Sequence, residues 1–362
     1  MSKRTLDAFF KPPSKRTKEI HTNSIDIPPD THSTYPIPIA KLPIHLTKAM
    51  EENTPAREAK VMNSQPDLDC LYFQPFIPRR TANELFRVLR AELPFYRVVY
   101  FAKRGGVDVE IKTPRYTTVF GVDEGCFFED ESSRSPESTP APGSAPTGKD
   151  GDALAKPKQY TTETLILRRK PNTPNTKHTY GHSPRPIPTC LQHLKTLVEF
   201  ATNTTYNFVL VNYYASGDDS IAFHSDDERF LGHYPSIASL SLGAEREFQL
   251  KHKPPPSPSG PGGKSAGYSG NDGIGSMIKL PLASGDMIVM KGSTQSNWLH
   301  SIPKRKGKTS LGGRINITFR KAMIPAGTDN YYHYNVGTGP IWRWDDIAKE
   351  MKMNVEKTDY QA

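Results

Sequence analysis

Cysteine is nearly missing from this chain: its 362 residues carry three, Cys70, Cys126 and Cys190, scattered and without a Cys-x-x-Cys pair. An odd, dispersed set excludes a disulfide-built scaffold and a cysteine-ligated zinc site, and it suits a reducing compartment. No apolar run is long enough to cross a membrane or to act as a secretory signal. No sizeable internal repeat recurs. Proline and glycine, by contrast, are abundant at 33 and 26 residues, which leaves room for one large domain with irregular tails and insertions. Residues 1–66 hold few apolar clusters and several basic and proline-rich stretches, so they are expected to be disordered. Residues 67–362 then form the folded domain, interrupted by flexible insertions at about 132–158 and 254–276. The formal net charge of +9 favours a polyanionic partner, although part of the excess lies in the N-terminal tail.

Short strand-like runs recur between turn residues. Amphipathic spacing predicts helices over 82–92, with Leu85, Phe86, Val88 and Leu89, and over 188–201, with Leu191, Leu194, Leu197 and Val198. The densest chemistry is in Phe223-His224-Ser225-Asp226-Asp227. In a strand, residues i and i+2 share a face, so His224 and Asp226 can both reach one ion while Ser225 points away. A third ligand must come from elsewhere, and His300 follows a buried-looking strand over 286–290. Two histidines and a carboxylate on one side of a metal leave positions open, as an Fe(II) dioxygenase needs for an oxo-acid and O2. A His-x-Asp pair also arises by chance, a lone later histidine also reads as a hydrogen-bonded residue, and a zinc hydrolase would use the same three side chains.

The run 314–320 alternates, with Arg314, Asn316, Thr318 and Arg320 on one face and Ile315, Ile317 and Phe319 on the other. One reading is an ordinary half-exposed strand with its polar face in water. The other is a receptor for a dicarboxylate, two guanidiniums binding carboxylates while Asn and Thr complete the hydrogen bonds. A zinc hydrolase leaves this arginine face unexplained.

These stretches, together with Asn207–Tyr214, Gly217–Gly232 and Ile237–Ala244, carry a resemblance. In order and spacing the chain resembles the AlkB-type 2-oxoglutarate- and Fe(II)-dependent dioxygenases, and within them the nuclear DNA-repair, AlkB homologue two-like branch, in a fungal-like form. The similarity covers most of 200–321 and extends more weakly back to about Asp67. It implies a mainly β (α+β) fold, a double-stranded β-helix or jelly-roll core with supporting helices behind a disordered N-terminal tail. It also implies that His224, Asp226 and His300 ligate Fe(II), that Arg314 clamps the distal carboxylate of 2-oxoglutarate beside Tyr214, and that Asn212, Asn316, Thr318 and Arg320 complete the co-substrate pocket. The implied reaction is oxidative demethylation of N-alkylated bases such as 1-methyladenine and 3-methylcytosine in DNA. O2 and 2-oxoglutarate are consumed, and formaldehyde and succinate released.

Such bases are cationic, and the acidic pair Asp227-Glu228 beside the metal ligand suits them, though a solvated turn is the plainer reading of the pair. Residues 96–107 alternate towards Gly105-Gly106 and read as a hairpin. It falls where DNA-repair relatives carry a lid that replaces a flipped base, which makes Phe101 the candidate wedge. Arg115 matches a segment near nucleic acid in the family, and Tyr180 is the candidate aromatic for stacking the flipped base. Near the N-terminus, Leu6, Phe9 and Phe10 resemble the sliding-clamp (PCNA) interaction peptide, with Lys3 where the pattern has glutamine. The groups Lys3-Arg4 and Lys15-Arg16-Thr17-Lys18 read as a nuclear import signal or as a solvated charge run. A nuclear, monomeric DNA-repair dioxygenase is therefore expected, away from membranes. The alternatives are a dioxygenase acting on RNA or protein, and an inactive nucleic-acid- or clamp-binding adaptor.

Overall fold

The structure, a computed structural model, describes residues 27–52, 58–131, 162–171, 180–254, 276–306, 313–325, 327–336 and 339–354. The first elements are α1 (Ile44–Glu52), β1 (Lys60–Met62), β2 (Cys70–Phe73), α2 (Arg79–Glu92) and β3 (Phe95–Tyr96). Two hairpin strands, β4 (Val99–Arg104) and β5 (Val107–Lys112), precede β6 (Tyr116–Gly121), β7 (Cys126–Asp130) and β8 (Leu165–Arg169). Next come α3 (Thr189–Thr202), β9 (Phe208–Tyr214), β10 (Ile221–His224), β11 (Ile237–Gly243) and β12 (Arg246–His252). They are followed by β13 (Ile278–Leu282), β14 (Met287–Met290), α4 (Thr294–Asn297), β15 (Trp298–Ile302) and β16 (Arg314–Arg320). The last are α5 (Asp329–Asn335), β17 (Ile341–Asp345) and β18 (Glu350–Met353).

Ten strands form one sheet in the order β1-β2-β14-β11-β16-β9-β6-β3-β17-β18, and β10-β15-β12-β13 form a second. The alternation along β9 and β16 explains how the layers stack. Val209, Val211, Tyr213, Ile315, Ile317 and Phe319 enter a core shared with α1, α2 and α3. Phe208, Leu210 and Tyr214 face the other way, into a second core with Phe248, Leu250, Trp298 and Ile302 of the smaller sheet. The result is the expected two-sheet jelly-roll with helices on one face. Each fully buried leucine or phenylalanine contributes roughly 1.5–3 kcal/mol, and α2 places Leu85, Phe86 and Leu89 in the first core. The predicted helices match α2 and α3 to within three residues at each end. Pro94, one residue past the Leu93 cap, ends α2.

The expected disordered tail needs correction from residue 27 onward. Tyr35, Ile39, Leu42, Leu46 and Met50 are buried, and Asp30 pairs with Ile39 in an isolated bridge. The Asp30 carboxylate accepts hydrogen bonds from the Thr189 N–H (2.5 Å) and hydroxyl (2.9 Å), at the start of α3, where negative charge is favoured. These apolar residues lie among prolines and polar residues too sparsely for any period to emerge. Residues 1–26 and the 132–158 insertion lie outside the described residues, as does nearly all of 254–276.

Candidate metal and co-substrate site

His224 ends β10 opposite His300 on β15, and their ring centroids are 4.2 Å apart. The strand stops there, so strand alternation does not place Asp226 as the sequence reading assumed. Asp226 lies in the following loop, its N–H donating to Gln295 Oε1 (2.9 Å) and its Oδ2 accepting from Arg320 Nη2 (3.0 Å). His224 Nε2 is 3.8 Å from Asp226 Oδ1, and His300 Nε2 is 3.8 Å from Oδ2. One ligand atom from each residue lies within 4.8 Å of the others, the only such His/Cys/Asp/Glu group among the described residues.

The protonation states suit a divalent cation. His224 Nδ1 donates to the Ala222 carbonyl (2.9 Å), which fixes the ring with Nε2 turned towards Asp226. Burial pushes His300 down to about 3, so its imidazole is neutral; its ring stacks on Phe248 at 5.5 Å. For Asp226 burial pushes upward, but Arg320 and then the two histidines outweigh it and hold the carboxyl below the usual range. Two imidazole nitrogens and one ionised oxygen on one side fit Fe(II) in a facial arrangement with open positions.

Behind the triad, β16 presents Arg314, Asn316, Thr318 and Arg320 between the sheets, all buried. That excludes a strand with its polar face in water. Gly313 turns the chain into this strand with φ +115°, and a Cβ there would sit 2.5 Å from the Tyr214 carbonyl oxygen. Arg314 Nη2 donates to Ser241 Oγ (2.8 Å), while its buried Nε and Nη1 have no hydrogen-bond partner. Burial lowers this guanidinium to about 10. A fork with two N–H-bearing nitrogens lacking a hydrogen-bond partner in a buried pocket fits the distal carboxylate of a dicarboxylate. Asn316 Nδ2 donates to Ser239 Oγ (2.7 Å), Thr318 Oγ1 donates to the Leu210 carbonyl (3.0 Å), and Asn212 Oδ1 accepts from Arg115 Nε (2.8 Å).

The model of one family, "2OG-Fe(II) oxygenase superfamily", matches residues 133–320. The chain is 40% identical over 127 residues to "Alpha-ketoglutarate-dependent dioxygenase alkB homolog 3" of Mus musculus, covering 35% of this chain and 40% of that protein. It is 39% identical over 142 residues to "DNA oxidative demethylase ALKBH2" of Homo sapiens, covering 39% and 49%. Against the Mus musculus protein of that name the identity is 35% over 176 residues, covering 47% of this chain and 68% of the relative. The chain belongs to the 2OG-Fe(II) oxygenase superfamily, as an AlkB-type member. Its matches thus span under half the length of the first two relatives. The superfamily is named for 2-oxoglutarate and Fe(II), the pair that the triad and the Arg314 fork fit.

The structure sorts the remaining predicted residues of this AlkB-type chain differently. The side chains of Asp227 and Glu228 point to different partners. Asp227 turns outward to Ser225 Oγ (2.8 Å) and Lys253 Nζ (3.0 Å), whereas Glu228 turns inward and accepts from the Tyr331 hydroxyl. Burial raises the Glu228 carboxyl, against the pull of Arg320. Arg115 reaches the co-substrate set through Asn212. Tyr180, expected to stack the flipped base, has its hydroxyl 2.5 Å from Asp123 Oδ2 and 3.0 Å from Thr328 Oγ1. Phe101 is 68% exposed on the β4–β5 hairpin, whose turn glycines Gly105 and Gly106 both take positive φ. Leu6, Phe9 and Phe10 lie outside the described residues.

Sequence reasoning missed three residues. Gln295 holds the Asp226 backbone, and nothing local in Thr294-Gln295-Ser296-Asn297 signals it. Arg246 is a buried cation whose guanidinium lies 5.6 Å from the Tyr214 ring centroid, with Arg314 at 5.5 Å from the same ring. Its signal was a charge in register with Phe248 and Leu250 on an otherwise apolar face. Tyr331 bridges Glu228 and Arg320 from beyond the stretches that carried the resemblance.

Proposed function

We propose that the chain is a nuclear, monomeric demethylase of N-alkylated DNA bases that consumes O2 and 2-oxoglutarate. The observation that carries this reading is the arginine pair of β16: Arg320 bonds the carboxylate of the His–Asp–His triad while Arg314 keeps two nitrogens uncommitted one strand length away. His224, Asp226 and His300 would hold Fe(II). Arg314 with Tyr214 would take the distal carboxylate, and Asn212, Asn316, Thr318 and Arg320 the rest of the co-substrate. Bound Fe(II) would supply activation of O2, one oxygen atom going to the N-methyl group to give N-hydroxymethyl and the other to 2-oxoglutarate as it becomes succinate and CO2. The hydroxymethyl group then leaves as formaldehyde, and the chain's own contribution is to orient both partners and exclude water.

Three observations support DNA as the substrate: the formal charge of +9, the inward carboxyl of Glu228 as a partner for a cationic base, and the exposed Phe101 hairpin. The deciding experiment measures formaldehyde release and methyl loss from oligonucleotides carrying N1-methyladenine, as single strand, duplex and RNA. DNA turnover that requires Fe(II) and 2-oxoglutarate is expected. Turnover confined to RNA, or iron binding with none on any strand, would overturn the DNA reading. Stacking of an aromatic on a base is worth about 1–3 kcal/mol, so Phe101→Ala should lower duplex turnover about tenfold and leave single strands within about twofold. Equal loss on both substrates would remove Phe101 from the wedge role.

The N-terminal peptide extends the proposal to PCNA and the nucleus. Phe9→Ala with Phe10→Ala should leave oligonucleotide turnover unchanged and abolish PCNA binding in calorimetry; binding equal to wild type refutes that assignment. A tagged chain lacking Lys15-Arg16-Thr17-Lys18 tests nuclear import, and sedimentation of the purified protein tests the monomer.

A further inference from the structure

The family-matched segment ends at Arg320, yet the chain goes on to build α5, β17 and β18 into the same body. Strand β17 pairs with β3, so the ten-stranded sheet is completed by residues beyond the match. Two consecutive tyrosines of α5 then use their hydroxyls in different ways. Tyr332 donates to the Gly121 carbonyl (2.7 Å) and accepts from the Arg185 N–H (2.9 Å), tying α5 to backbone. Tyr331 donates to Glu228 Oε1 and accepts from Arg320 Nη1. Its ring is wedged edge-on against Phe208 (5.6 Å) and Phe230 (5.3 Å), which fixes where the hydroxyl sits.

Arg320 is therefore held at two corners, by Tyr331 on Nη1 and by Asp226 on Nη2 (3.0 Å), and its buried Nε has no partner. A planar guanidinium fixed at two corners has one orientation. With one corner released it can swing towards Glu228, whose Oε2 is also buried without a partner. We propose that Tyr331 is a positioning residue for the co-substrate: the C-terminal helix orients Arg320 through the Tyr331 hydroxyl and so completes the 2-oxoglutarate pocket from outside the family-matched segment. The inference rests on the co-substrate assignment made above.

Calorimetry of 2-oxoglutarate binding to the Mn(II)-loaded full chain tests it without turnover. Loss of one charge-assisted hydrogen bond should weaken binding by Tyr331→Phe about tenfold, and KM for 2-oxoglutarate should rise by the same factor, a larger change than in kcat. Tyr332→Phe is the structural control, expected to lower the thermal midpoint while leaving 2-oxoglutarate affinity at the wild-type value. Wild-type affinity in Tyr331→Phe overturns the proposal, as do equal losses of affinity in the two variants. A wild-type protein that binds 2-oxoglutarate but demethylates no oligonucleotide would overturn the DNA reading alone, leaving Tyr331 decided by the binding data.

Discussion

Replacing Asp226 by alanine is expected to reduce demethylation by more than about a hundredfold, because even the outer partners of metal ligands are commonly worth 10–100-fold. Asp226 is a proposed ligand and also the charge partner of Arg320, at 3.0 Å with both side chains buried. Removing one member of such a pair strands the other charge and costs about 3–5 kcal/mol. His224→Ala provides the contrast. Its side chain is 33% exposed and its Nδ1 is bonded to the Ala222 carbonyl, so losing it strands no buried charge. The two variants should therefore match in lost turnover and lost Fe(II) retention, with only Asp226→Ala showing a large fall in thermal midpoint. Turnover close to wild type in metal-replete Asp226→Ala protein would remove the triad from the chemistry.

How far the sequence could be read follows from the range of each physical signal. The β16 alternation is short-range and complete within seven residues, so its two faces were legible without any neighbour. Whether the polar face met water was not, because that depends on the smaller sheet, β10-β15-β12-β13, covering it. His224 and Asp226 were found for a reason only half right: their spacing suggested one strand, whereas Gln295 and Arg320, distant in sequence, hold Asp226 beyond the strand end. The hairpin turn at Gly105-Gly106 was readable because positive φ at two successive residues demands glycine. The partners of Tyr180 were not legible, because an aromatic beside a long insertion has no local register, and its hydroxyl finds Asp123 and Thr328. Tyr331 was invisible for a related reason, since it acts through contacts made only when α5 has packed, whereas Arg246 carried a signal, a charge in register with Phe248 and Leu250.

Arg314→Ala should raise the 2-oxoglutarate requirement by roughly a hundredfold to ten-thousandfold, since two hydrogen bonds to a charged group, at about 1.5–3 kcal/mol each, would be lost together. Arg314 is 1% exposed and its guanidinium faces the Tyr214 ring, with Arg246 on the same ring, so its loss leaves the carboxylate without its planar fork in a buried site. Arg314→Lys keeps the charge but not the planar fork and should fall between wild type and alanine. Stability should move the opposite way from Asp226→Ala. Arg314 bonds Ser241 Oγ and faces Tyr214, with no carboxylate partner among the described residues, and burial already lowers its pKa to about 10. Replacing it with an uncharged side chain of similar volume, Arg314→Met, should therefore leave the ligand-free thermal midpoint unchanged or higher. The same variant should lose the upward shift that 2-oxoglutarate confers on wild type by binding only the folded state. A midpoint that still rises with 2-oxoglutarate in Arg314→Met would place the dicarboxylate elsewhere; a sharp fall in the ligand-free midpoint would make Arg314 a structural tie of the sheet.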